Sequence, residues 1–242
     1  MGMAGVIDWR AEAASALEWW RDAGVDMLID DLPRDWTARE IPSGAARTET
    51  PAPLAEPEDV PLPATLEAFI DWRFGTAAPE AVWGEPIFTP QGDPAASLMV
   101  LIELPEADDR DTLLTGAAGR LFDRILAAIG HDRDSIYLAP FCAARPITGQ
   151  SPREAHARLA ELARHHVALT GPERLLILGQ SVSRAFLGTD SPAWRGRLES
   201  INYQGGKSAT VATYPPRLLL GRPAQKADVW KDLQLLIGGQ SS

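Results

Sequence analysis

From about residue 65 the chain alternates short apolar runs with segments whose apolar residues recur every three or four positions. Leu98-Met99-Val100-Leu101-Ile102 is short and uninterrupted, the pattern of a strand buried on both faces. After a polar loop, Leu121, Phe122, Ile125 and Ile129 fall on one face of a predicted helix over 116–129, which Gly130 stops. A second strand is predicted over 136–138. A second helix follows over 153–169, with Ser151 as its candidate cap and Pro152 at its first position. Leu175-Leu176-Ile177-Leu178, a turn at Gly179 and a short helix over 182–186 repeat the unit. Residues 198–203 and 208–213 flank Gly205-Gly206 as a hairpin, and 226–237 closes the chain as a helix. Three strand-then-helix units predict an α/β fold, a three-layer αβα sandwich with a mostly parallel central sheet. Ligands would bind beyond the carboxyl ends of the strands.

Upstream the pattern changes. Over 11–31, Leu17, Trp20, Val25 and Leu28 share a helical face that Gly24 interrupts, so a bent helix or a short helical pair is predicted. After Pro33 the composition shifts to small and polar residues, and Pro51, Pro53, Pro57, Pro61 and Pro63 predict an extended linker. The expected organisation is a helical element at 1–40, a Pro-rich linker at 41–63 and an α/β domain at 64–242.

Charge sharpens this division. The net charge of −10 would disfavour a nucleic-acid partner if it were uniform, but residues 1–63 hold five arginines against thirteen acidic residues. Residues 195–231 instead hold seven basic residues against Glu199 and Asp228. That span is either solvated surface or one wall of a basic groove. The acidic N-terminal helix is either a contact for a protein partner or a cap on the main domain.

Several chemistries are excluded. The single Cys142 permits no internal disulfide and cannot hold an iron–sulfur cluster, so no cofactor is expected. His165-His166 sits in a helical pattern with no carboxylate or thiol at ligand spacing, so no metal site is expected. Gly205-Gly206-Lys207-Ser208 lacks the first glycine of a phosphate loop, since Ile201 stands there. No apolar run approaches the roughly 20 residues of a membrane span, and no leader is evident, so a cytoplasmic protein without membrane contact is expected.

The segment running from Ala212-Thr213-Tyr214-Pro215-Pro216-Arg217-Leu218-Leu219-Leu220 to Pro223 and Lys226 carries a specific likeness. It resembles the closing motif of bacterial family 4 uracil-DNA glycosylases, Thr-(Phe/Tyr)-His-Pro followed by a Leu-rich turn, a Pro and a Lys. The likeness covers most of 98–237. Ile102-Glu103-Leu104-Pro105-Glu106 corresponds to Gly-Glu-Ala-Pro-Gly after the first strand. Leu113-Leu114-Thr115-Gly116 stands where the family has Pro-Phe-Val-Gly. Ala139-Pro140 leading to Arg145-Pro146-Ile147 stands where it has Thr-Asn leading to Arg-Pro-Pro.

The resemblance implies a uracil-DNA glycosylase fold, DNA as partner and hydrolysis of the bond between a damaged base and its sugar. It also implies specific losses. The catalytic histidine is Pro215, the stacking ring is Leu114, the base-reading Asn is Pro140, and the four cluster cysteines are absent, one of their places being Ala144. Glu103 remains as the candidate catalytic acid, with Leu104, Pro105, Leu114, Pro140 and Pro215 around the base position. Arg145, Arg195, Arg197, Arg217, Arg222 and Lys226 are candidate DNA contacts, and Leu218 belongs to the loop the family wedges into the minor groove. Losing one charge-stabilising donor costs about 2.7–4 kcal/mol of barrier. Losing donor, reader and stack together implies weak, altered or lost excision, or a non-catalytic DNA-binding or protein-interaction module descended from a glycosylase.

Overall fold

A computed structural model describes residue 15 and residues 61–75, 80, 83, 86–188, 194–203 and 205–238. Apart from residue 15, the helical element expected at 1–40 lies outside the described residues, as does nearly all of the expected linker.

The first described helix, α1 (Leu66–Phe74), starts at Thr65, whose hydroxyl accepts the Ala68 amide, and buries Phe69, Arg73 and Phe74. The sheet then builds from β1 (Gln91–Gly92), β2 (Leu98–Ile102), β3 (Tyr137–Pro140), β4 (Arg174–Leu178), β5 (Leu198–Tyr203) and β6 (Gly206–Thr213), in the order β1-β3-β2-β4-β6-β5. The four central strands are parallel, while β1 and β5 pair antiparallel at the two edges. The sheet is therefore mixed: the hairpin that brings β5 beside β6 makes one edge antiparallel, and the two-residue β1 makes the other.

Helices α2 (Gly116–Ala128), α5 (Pro216–Gly221) and α6 (Lys226–Gly238) cover one face, and α3 (His156–Thr170) and α4 (Gln180–Leu187) the other. The alternation within β2 makes the two cores. Leu98, Val100 and Ile102 join Phe122, Leu126, Leu219 and Leu233 on one side, while Met99 and Leu101 join Leu159, Val167 and Val182 on the other. A strand with both faces covered needs apolar residues at every position, which is why β2 shows no alternation in sequence.

Three boundaries differ from the sequence expectations. The second parallel strand runs to Pro140 rather than ending at residue 138, with Pro140 opposite Ile102. A proline is tolerated there because the Phe141 amide, not that of residue 140, donates to the Ile102 carbonyl, and β1 pairs no further along than Leu138. The helix expected from 153 begins instead with a single 3-10 turn, Arg153–Ala155, before α3. Ser151 does not cap it, because its hydroxyl lies 2.8 Å from His156 Nε2. The hairpin closes tighter than expected, Tyr203 pairing with Gly206 so that β6 starts two residues early.

The register fixes where function can sit. Pro140, Ile102 and Leu178 lie opposite one another, and Leu178 lies opposite Thr213, so the four parallel strands end in one row. The residues next in chain are Phe141, Glu103, Gly179 and Tyr214.

Candidate functional site

Glu103 continues the ladder one residue beyond β2. Its amide donates to Leu178 O at 3.3 Å and its carbonyl accepts the Cys142 amide at 3.1 Å, so the side chain is launched from fixed backbone. Both carboxylate oxygens are engaged. Ser181, in the first turn of α4, donates its hydroxyl to Oε1, and Arg217, in the first turn of α5, places Nη2 3.1 Å from Oε2. The Glu103 side chain is 15% exposed and that of Arg217 34%. Gly179 leaves the necessary room: with φ 136°, a Cβ there would sit 2.8 Å from Glu103 Oε2 and 2.9 Å from Glu103 Cβ.

A second carboxylate shares the arginine. Glu106 is buried, and its Oε1 lies 3.6 Å from Arg217 Nη1. Burial pushes its carboxyl above the ordinary 4.5, with Arg217 and Arg145 pulling it back and Asp109 adding to the rise. The loop carrying these acids is tied by Asp109, which accepts the amides of Glu106 (2.8 Å), Leu114 (3.0 Å) and Thr115 (2.7 Å). Arg145 reaches across it, Nη1 donating to Pro105 O at 2.7 Å.

The structure thus brings Glu103, Pro105, Arg145 and Arg217 together, with Pro215 half-buried as the residue that caps α5. Leu104 and Leu114 are each 1% exposed but belong to the cores on opposite faces of the sheet. Neither lines an opening beside Glu103. Leu114 also holds φ 54°, an unusual conformation for a leucine. Arg133 secures it by donating to Leu113 O (2.8 Å) and Leu114 O (2.6 Å), and Gly119 lies beneath it, where a Cβ would strike the Leu114 carbonyl. Pro140 is buried at its strand end.

The basic candidates divide in two. Arg217 is held by Glu103 and Glu106, and Arg145 by the Pro105 carbonyl of the same loop. Arg195 bonds Asp232 through Nε (3.0 Å) and Nη2 (3.2 Å) and stacks 4.8 Å over Tyr214, which itself packs edge-on against Trp194. Burial raises the Asp232 carboxyl, and Thr213 and Arg195 offset part of the rise. Arg197, Arg222 and Lys226 are exposed and make no side-chain hydrogen bond among the described residues. Leu218 is half-buried, whereas its neighbour Leu220 is 47% exposed.

Sequence reasoning missed Ser181 and the partnership of Glu106 with Arg217. The available signals were the Gly-x-Ser run from Gly179 to Ser181 at a strand-to-helix junction and the acid at 106 where the resemblance places a glycine.

The residues present do not fit an iron–sulfur cluster. Cys142 is the only thiol, burial pushes its pKa up to about 12, and its Sγ donates to Ala144 O. The loop Phe141–Ala144 is tied instead by a buried ion pair. Arg73 and Glu80 bond through two contacts, Arg73 Nη2 donates to Phe141 O at 3.2 Å, and Glu80 Oε1 accepts the Ala143 amide at 3.3 Å.

A parallel-centred sheet with helices on both faces and a carboxylate at the end of its first long strand places the chain among the α/β proteins whose ligands sit beyond the carboxyl ends of the strands. Residues 89–234 match the uracil DNA glycosylase superfamily. The chain is 24% identical over 164 residues to the type-4 uracil-DNA glycosylase of Pyrobaculum aerophilum, the match covering 62% of this chain and 81% of that protein. This chain belongs to the uracil DNA glycosylase superfamily, and its fold and overall role are those of a uracil-DNA glycosylase-like DNA-repair protein. No helix among the described residues is long and apolar enough to cross a membrane.

Proposed function

We propose that this chain binds DNA as a member of its superfamily while its uracil-excising chemistry is strongly weakened or lost. The observation that carries the reading is the state of Glu103, both of whose oxygens are engaged within the protein by Ser181 and Arg217. Excision requires a water held for attack, a donor for the charge that develops on the departing base, and contacts that hold the base out of the stack. A carboxylate whose charge is already offset by Arg217 and whose oxygens each accept one internal hydrogen bond is a weaker acceptor for an attacking water. Pro215 and Pro140 bring no side-chain donor, and Leu114 is committed to the core.

DNA binding is supported by different residues. Arg197, Arg222 and Lys226 are exposed beyond the strand ends or on the helix that follows them, and neutralising phosphates needs only accessible cations.

The test is release of base from single- and double-stranded oligonucleotides containing uracil, for the wild type, Glu103→Ala and Glu103→Gln, with binding to the same oligonucleotides followed across salt concentrations. The expected result is little or no release with salt-sensitive binding. Efficient release that disappears in both Glu103 variants would establish a working glycosylase and overturn the proposal.

A further inference from the structure

A cleft of about 340 Å³ opens between α3 and α4, and none of the arginines and lysines near the strand ends lines it. Its walls are His156, Ala157, Ala160 and Arg164 on α3 and Ser181, Arg184 and Ala185 on α4. No acid is among them. Arg164 spends one nitrogen on the Ala185 carbonyl, and neither Arg164 nor Arg184 has a carboxylate partner among the described residues. Glu161, one turn before Arg164, is already taken by Arg158 at 2.6 Å. The three alanines keep the walls low, so a group entering the cleft can approach both guanidinium groups.

The position of the cleft selects its ligand. Both helices start at the carboxyl end of the sheet, so the groove between them begins beside the row of strand ends. Ser181 belongs to both places, lining the cleft while donating to Glu103. Guanidinium pairs match phosphate oxygens in bidentate geometry, and a chain of phosphates passing Glu103 would next meet this groove.

We propose that the α3–α4 cleft binds phosphate groups of a nucleic-acid strand leaving the Glu103 site, with Arg164 and Arg184 as the contacts. The proposal rests on the DNA-binding reading above and adds a second track to it. A free phosphate compound would use the same two guanidinium groups, so the experiment has an arm for each source.

The first arm follows fluorescence anisotropy of single-stranded oligonucleotides of about 6 and about 16 nucleotides at several salt concentrations, a choice of lengths based on the site sizes of single-strand binders. The proteins are the full chain, Arg184→Gln and Arg164→Gln/Arg184→Gln. The longer strand should bind the double variant more weakly by on the order of tenfold, with the salt slope reduced by about 1.4, at about 0.7 for each phosphate no longer neutralised. The short strand, confined to the strand-end site, should change little. Arg184→Gln, whose side chain makes no hydrogen bond among the described residues, should show about half the slope change and serves if the double variant folds poorly. The second arm measures the melting shift caused by tripolyphosphate.

Equal slopes for wild type and both variants on the long strand would overturn the proposal. A tripolyphosphate shift abolished in the variants, without any oligonucleotide binding by the wild type, would overturn both the strand as ligand and the DNA-binding reading. Oligonucleotide binding of the wild type that both variants retain unchanged would overturn the cleft alone.

Discussion

Replacing Arg217 with Gln separates two acids from the one cation they share, and the effect should depend on pH with a definite sign. Arg217 contacts Glu103 at 3.1 Å and Glu106 at 3.6 Å, and Glu106 is only 9% exposed. Stranding a buried charge costs about 3–5 kcal/mol, but the guanidinium is about one-third exposed and Arg145 remains nearby, so about 1–3 kcal/mol at pH 7 is expected. For a domain of this size that is a fall in Tm of roughly 2–12 °C. Burial already holds the Glu106 carboxyl above 4.5, so between 4.5 and its folded value the folded chain binds more protons than the unfolded one. Stability from this group is present below 4.5 and declines as pH rises through the folded value. Removing Arg217 takes away the largest influence opposing that rise, so the deficit of the variant should be greatest at pH 7–8 and narrow toward pH 4.5. Arg217→Gln/Glu106→Gln should regain much of the loss at neutral pH. Thermal melts of the wild type and both variants from pH 4.5 to 8 check this. A deficit constant across that range, or one that Glu106→Gln leaves untouched, would refute the reasoning.

Three further outcomes are expected. Glu80→Gln leaves Arg73 buried without its counter-charge and should cost about 3–5 kcal/mol in urea denaturation, whereas Arg73→Met/Glu80→Leu should recover most of it. Gly179→Ala forces a Cβ to within 3 Å of Glu103 at a φ of 136°, and should lower stability by about 1–3 kcal/mol, read from the same melts. His166 is held at about 3 by burial, against an ordinary 6.5, so the unfolded chain takes up a proton that the folded one refuses. Its contribution is intact above 6.5 and declines as pH falls toward 3, by on the order of 5 kcal/mol in total, and His166→Gln should flatten that acid limb in a pH series of denaturation curves.

The central strands were legible because a strand covered on both faces leaves a continuous apolar run, as 98–102 and 175–178 do. One edge was legible as well, because Gly205-Gly206 between two apolar-alternating runs marked the hairpin that pairs β5 (198–203) antiparallel with β6, whereas β1 at the other edge is two residues long and carries no pattern. Helix α5 was hidden because Pro215-Pro216 reads as a chain break, although a proline at the first helical position loses no hydrogen bond. At the site, Glu103 was singled out by the family resemblance of the segment that follows the first buried strand. Its partners could not be assigned to it, because Ser181 and Arg217 lie 78 and 114 residues away in sequence and meet it only through the register of β2, β4 and β6.

What replaced the residues that the family resemblance leads one to seek has the same form in two places. Beside Glu103, a cation from α5 and a hydroxyl from α4 satisfy the acid within the protein. Around Phe141–Ala144, Arg73 and Glu80 tie the loop to α1 with hydrogen bonds that one thiol could not supply. Each arrangement turns inward a polar group that could have served a ligand or a cluster. A carboxylate held in this way keeps free acceptor positions, but an incoming cation or donor must compete with Arg217 for its charge. An exposed arginine on α4 meets no such competition. The proposed phosphate track therefore runs over exposed cations such as Arg164, Arg184, Arg197, Arg222 and Lys226, which have no acidic partner among the described residues, rather than over the paired Arg217 at the end of β2.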